Sequence, residues 1–186
     1  FLRQEAGTRP VVWYPETAYW VSFDVDVPLF LPVYADRRVH DARLIAQDED
    51  AGRTGRGQHV GAPIDGQMIF SSGWEWGYWL NDVVTARLAW DPQVSAPTHD
   101  EAVRRALAPI ARVAGAAGPD LVDLLVRTMQ EQRELLIEGR VSGVAPRDIV
   151  RRSGQAYLQG WESWDEVGSN LAELPFLPGI GPVTTQ

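Results

Sequence analysis

Gln67-Met68-Ile69-Phe70-Ser71-Ser72-Gly73-Trp74-Glu75-Trp76-Gly77-Tyr78-Trp79-Leu80 is the stretch whose reading decides the fold. Its apolar opening, Gln67 to Ser71, predicts a short strand, and Gly73 punctuates the end of it. From Leu80 the pattern changes period: Val83, Val84, Arg87 and Leu88 form a helical stripe that stops at Trp90-Asp91-Pro92, where the proline disfavours helix at Asp91. Strand, aromatic loop and helix follow one another as a β/α unit. At the junction one carboxylate, Glu75, stands among Trp74, Trp76, Tyr78 and Trp79. Flat aromatic faces beside a carboxylate suit a sugar ring, whose C–H faces stack and whose hydroxyls hydrogen-bond. The competing reading is a buried aromatic hub, with Glu75 satisfied by an indole N–H or an arginine.

Upstream, Val11 to Leu31 reads as extended chain, with Tyr19, Val21 and Phe23 alternating against Trp20, Ser22 and Asp24. Pro28 and Pro32 end it, and from Leu31 the residues Tyr34, Ala35, Val39, Ala42, Ile45 and Ala46 recur at helical spacing over about four turns. The Gly-rich segment from Asp48 to Gly66 predicts a long loop of the functional or mobile kind. A second carboxylate among aromatics, Glu16, lies in Trp13-Tyr14-Pro15-Glu16-Thr17-Ala18-Tyr19-Trp20. If successive strand ends face one pocket, Glu16 and Glu75 line it with Asp24 or Asp26, giving the paired carboxylates that glycoside hydrolysis needs. Otherwise Glu16 is a loop acid. Asp24-Val25-Asp26 puts two carboxylates on one face of a strand, a geometry that can hold a divalent ion. The motif resembles the D-x-D of nucleotide-sugar glycosyltransferases and, superficially, the first motif of haloacid-dehalogenase-type phosphatases. Pro28 stands where the latter pattern has Thr or Val. The plain alternative is a solvent-facing strand end.

Beyond Pro97 the chain turns helical. Thr98 and Glu101 have capping-box spacing, Val103, Leu107, Ile110 and Val113 line one face, and Pro109 predicts a break or kink. Pro119 can open a helix with the stripe Leu121, Leu124, Leu125, Thr128, Leu135 and Leu136, stopped by Gly139. Pro146 can open another carrying Ile149, Val150 and Tyr157, and Trp164, Val167, Leu171 and Leu174 suggest a last short one. The pairs Arg37-Arg38, Arg104-Arg105 and Arg151-Arg152 read as solvated helix faces, and His40 as a helix-surface residue.

Composition removes several chemistries. The 186 residues are 45% hydrophobic and carry a net charge of -8, which supports a sizeable core and argues against a nucleic-acid partner. No apolar run reaches the length of a membrane span, so membrane insertion is not expected. All 17 Lys+Arg residues are arginine, which excludes a P-loop lysine, a Schiff base and a Ser-Lys dyad. With no Cys there is no thiol nucleophile or disulfide, and His40, His59 and His99 show no zinc-ligand spacing. No cofactor and no metal are expected. The opening on Phe1 and the loop-like ending Gly181-Pro182-Val183-Thr184-Thr185-Gln186 suggest a piece of a longer chain whose N-terminal part lies upstream.

A strand ending in Gly73-Trp74-Glu75-Trp76, a helix closing on Ala86-Arg87-Leu88-Ala89-Trp90-Asp91-Pro92, and a helical appendage resemble, over about Gln67 to Glu138, the C-terminal part of (β/α)8-barrel glycoside hydrolases of the hexosaminidase and α-glucuronidase kind. That resemblance implies a substrate-binding role for Glu75 with Trp74 or Trp76, holding the hydroxyls of a terminal sugar. The adjacent Asp-Glu pair typical of hexosaminidases has no convincing counterpart in Asp48-Glu49-Asp50 or Asp100-Glu101. The expectation is an α/β chain, helix-rich with few strands. Residues 1–96 would be closing strand-helix units of a barrel, 97–175 an α-helical subdomain and 176–186 a tail. The expected activity is glycosidic-bond hydrolysis by Glu75 and Glu16, on a carbohydrate held by Trp74, Trp76, Trp79, Trp20, Tyr78, Asp24 and Asp26. The alternatives are a non-catalytic carbohydrate-binding or interaction module, and a metal-dependent glycosyltransferase using Asp24 and Asp26.

Overall fold

The computed structural model describes residues 2–14, 30–68 and 75–134, residues 75–78 by their backbone alone. In chain order these form α1 (Leu2–Glu5), β1 (Val12–Trp13), α2 (Val33–Asp50), β2 (Gly66–Gln67), α3 (Glu75–Trp90), α4 (His99–Ala114) and α5 (Gly118–Gln132). Single 3-10 turns lie at Gly57–His59 and Gly115–Ala117. The described chain is helix-rich with two short strands. These pair in parallel, Val12 opposite Gly66 and Trp13 opposite Gln67, and the connection between them carries α2, as a parallel pair requires.

Each helix follows from its local chemistry. The N-cap of α4 is Thr98, whose hydroxyl accepts the Glu101 N–H at 3.1 Å, the threonine half of the expected capping box. Pro119 sits in the first turn of α5, where its missing N–H costs nothing. Helix α3 ends at Trp90, just ahead of Asp91-Pro92. The expected break at Pro109 is corrected: α4 runs unbroken from His99 to Ala114. Leu107 before the proline is buried in the core and Ile110 and Ala111 after it pack on the same core, so tertiary burial outweighs a penalty of about 3 kcal/mol for proline inside a helix.

One core unites the four long helices. Ala35, Val39 and Ala42 of α2 meet Leu80, Val84 and Leu88 of α3, Ala102, Val103, Ala106 and Leu107 of α4, and Val122, Leu125, Val126 and Met129 of α5. The loop residue Ala96 belongs to it too, so the core draws on both sides of residue 96. The expected stripe of α4 holds at Val103, Leu107 and Ile110 and fails only at its last residue, whereas that of α5 is rotated. Val113 and Leu124 are exposed, and Val122 and Met129 take the inward positions of α5. Beneath the strand pair a second cluster packs Trp13 on Ile45, with Leu44 and Ile64 at its margin.

The loop from Ala51 to Asp65 is pinned along its length. Gly55 N–H donates to the Arg3 carbonyl at 2.6 Å, Gly61 N–H to Thr54, and Ile64 N–H to the Glu49 carboxylate. Gly55 has φ +69° and a Cβ there would fall 1.8 Å from the His59 carbonyl oxygen, so only glycine fits.

Candidate functional site

The parallel pair fixes where the two strands that precede the aromatic clusters end. Because β1 and β2 run the same way, their C-terminal residues Trp13 and Gln67 lie side by side at one edge. In sequence Glu16 follows three residues after Trp13, and Glu75 eight after Gln67. Glu75 is the first residue of α3, so it heads a helix, where a carboxylate is favoured by the helix dipole. Trp76 and Tyr78 belong to the first turn of the same helix. Glu16, Trp20, Asp24, Asp26 and Trp74 lie outside the described residues. Trp79 has a described side chain: it packs against the main core, and its ring stacks on Phe30 with centroids 6.3 Å apart and an interplanar angle of 10°.

The most conspicuous chemistry among the described residues is one that the sequence reading placed in solvent. Four carboxylates, Glu5, Asp36, Asp41 and Asp48, are buried; two arginines meet each of Glu5, Asp41 and Asp48, and Arg133 and His99 meet Asp36. Arg38 is a correction to the expected solvated Arg37-Arg38 face: it is fully buried on α2, with Nη2 3.0 Å from Asp41 Oδ2 and its guanidinium 5.0 Å above the Trp13 ring. The spacing explains it. Asp41 lies three residues from Arg38 and four from Arg37, so one turn of helix brings both cations to the same carboxylate. Arg37 Nε is 3.7 Å away, an ion pair longer than a hydrogen bond.

Asp36, one turn earlier, joins three elements. Its Oδ1 lies 2.7 Å from His99 Nε2 at the start of α4 and 3.0 Å from Arg133 Nη2 just beyond α5. Gln132 completes the junction. Its Oε1 accepts the Val33 N–H at 3.1 Å, capping α2 from a residue far along the chain, and its Nε2 donates to the Phe30 carbonyl. His40, half-buried rather than on the surface, meets the His99 ring edge-on at 6.4 Å. At the far end of α2, Asp48 forms ion pairs with Arg3 and Arg53, and Glu5 with Arg9 and Arg56.

No family model matches this chain, and no curated protein or solved structure is significantly similar to it.

The buried carboxylates are paired with charge from within the chain, although not every atom of these pairs is hydrogen-bonded: Glu5 Oε2 accepts no hydrogen bond. Among the described residues there is no group of three or more His, Asp or Glu arranged to hold a metal, and no helix long and apolar enough to cross a membrane. Two carboxyls are held above their ordinary range. Burial raises that of Asp82 on α3, whose Oδ1 accepts no hydrogen bond. At Glu49 burial also leads, the Ile64 N–H opposes it, and the charge of Asp50 adds to it. The sequence signal for the buried network was present in part: an acidic chain whose cations are all arginine has selected the side chain whose rigid fork suits buried carboxylates.

Proposed function

We propose that this chain is carbohydrate-active and that it holds a sugar at the C-terminal edge of the β1–β2 pair. The observation that carries the reading is the parallel register of the two strands, each of which leads into a carboxylate set among aromatics. In sheets built from β/α units, ligands gather outside the carboxyl ends of the strands, where loops of independent sequence converge. The two strands, with α2 between them and α3 after them, are what closing units of a (β/α) barrel would supply, and α4 and α5 would be the appended helices. In this reading Trp74, Trp76 and Tyr78 stack on the sugar, with Trp20 from the other cluster and Trp79 beneath, and Asp24 and Asp26 bind hydroxyls. Glu75 binds hydroxyls or serves as the acid/base, and Glu16 is the second carboxylate of glycosidic hydrolysis.

Titration of the full chain with a panel of oligosaccharides, alongside hydrolysis of aryl glycosides, tests this. Binding that falls at least tenfold in Trp76→Ala, with turnover lost in both Glu75→Gln and Glu16→Gln, is the expected result. Binding without turnover, unchanged by Glu16→Gln, would reduce the reading to a sugar-binding module. Absence of any saturable carbohydrate binding would overturn it.

A further inference from the structure

We propose that Arg9 and Arg56, bridged by the buried carboxylate of Glu5, form a binding notch for a tetrahedral oxyanion, the phosphate or sulfate group of a small ligand. This goes beyond the sugar reading and does not depend on it. Arg9 Nε lies 2.7 Å from Glu5 Oε2, and Arg56 Nη2 lies 3.2 Å from Glu5 Oε1. One carboxylate, its side chain 7% exposed, therefore pairs with two guanidinium groups, one at each oxygen.

The arrangement differs from the other end of α2 in one respect that matters for a ligand. The cations on Asp36 and Asp41 are largely enclosed, whereas the Arg9 and Arg56 side chains are 63% and 60% exposed. Each contacts Glu5 through one nitrogen and keeps further N–H donors of its fork for the solvent side. Orienting two long side chains is an entropic cost of binding that Glu5 has already met. The neighbourhood is also open. Gly57, next to Arg56, has φ +60° and nothing within 4 Å of where a Cβ would stand, and His59 packs against Gly7 between Glu5 and Arg9.

Charge selects the ligand. Arg3 and Arg53 hold Asp48 at the adjoining corner, and the Gly55 N–H to Arg3 carbonyl bond ties the two corners together. At Glu5 itself two arginines face one carboxylate, a local excess of one positive charge on a chain whose net charge is -8. The nearby acids Glu49 and Asp65 are turned to the backbone N–H groups of Ile64 and Val11 instead. A dianion with several acceptor oxygens can engage both forks at once, whereas a small planar monoanion such as acetate fills only one.

Calorimetric titration of the full chain with sodium phosphate and with sodium sulfate, at constant ionic strength, is the test, with sodium acetate as the monoanion arm. Saturable binding of the two dianions is expected, at least about tenfold tighter than acetate. Arg9→Gln and Arg56→Gln should each weaken it about tenfold, the value of a charge-assisted hydrogen bond. Arg56→Lys should recover only part of the loss, because it restores charge without the fork. Arg104→Gln, which alters an ion pair to Asp123 between α4 and α5, should change nothing. In the unmutated chain the Nε–H resonances of Arg9 and Arg56 should move on adding phosphate while those of Arg87 and Arg104 stay, a readout independent of any variant's folding. Equal affinity in Arg56→Gln, resonances that shift uniformly, or no saturable binding would each overturn the proposal.

Discussion

Replacing Arg38 by methionine removes the most deeply buried cation of the described chain while nearly keeping its volume. Asp41, itself fully enclosed, would lose the guanidinium at 3.0 Å and retain from this pair of arginines only Arg37, at 3.7 Å. Breaking a buried pair from one side costs about 3–5 kcal/mol, because the remaining charge is neither hydrated nor compensated. Loss of the cation above Trp13 adds about 0.5–2 kcal/mol. At roughly 2–4 °C per kcal/mol for a chain of this size, Arg38→Met should lower the melting temperature by at least about 6 °C. The reciprocal change, Asp41→Leu, should be comparably harmful. The double variant Arg38→Met/Asp41→Leu should be milder than either single one, since two apolar side chains then fill the space of the ion pair and Arg37 can turn its head to water. Thermal and urea unfolding followed by far-UV circular dichroism would close the cycle. Single effects below about 1 kcal/mol, or a double effect equal to the sum of the singles, would refute the claim that Arg38 and Asp41 act as one buried unit.

Two further outcomes follow from local chemistry. Asp82→Asn should stabilise the protein near neutral pH, because the carboxyl pushed up by burial favours its protonated form in the folded state. Its contribution is therefore intact in acid and is lost as pH rises above the ordinary carboxylate value. The gain, under about 1 kcal/mol for this partly exposed group, should shrink as melts are repeated from about pH 7 down to about pH 4, and a gain that grows in acid would contradict the assignment. Thr98→Ala should cost about 1 kcal/mol through loss of the bond to the Glu101 N–H, while Thr98→Ser should cost less than half of that in the same unfolding assay.

Legibility divided along a physical line. Local signals survived into the structure: the start of α2 at Val33 after Pro32, the Thr98 cap, Pro119 in the first turn of α5, and the stop at Trp90 before Asp91-Pro92. These depend on backbone chemistry within one turn, which neighbours in the chain determine. What misled was rotation about the axis of α5. Leu124 belongs to a plausible apolar stripe, yet which stripe faces inward is set by partners that a single helix pattern does not name. Arg37-Arg38 failed for the same reason. A charge pair reads as solvated unless the carboxylate one turn later is known to be buried with it. Of the candidate site, the alignment of two strand ends required the parallel pairing, which no local pattern encodes.

The three bracketed carboxylates of α2, Asp36, Asp41 and Asp48, give it a role beyond apolar packing. Ala35, Val39 and Ala42 are small or β-branched, and so thin an apolar stripe defines the helix's rotation only loosely against α3, α4 and α5. The charged positions tighten that definition. Asp36 engages only if His99 and Arg133 reach it, Asp48 only if α1 and the Gly-rich loop have come together around it, and Arg38, paired within α2 to Asp41, also lies over Trp13. A rotation of α2 by one position would part Asp36 and Asp48 from partners held on other elements, a penalty larger than the loss of alanine contacts. Buried ion pairs add little net stability compared with apolar replacements, so their value at these positions lies in excluding alternative packings. That is also why arginine serves here: a fork with several fixed N–H directions penalises a misplaced carboxylate more sharply than a single ammonium group would. The network that orients α2 thereby orients β1 and β2 on either side of it, and with them the strand edge where the sugar reading places its site.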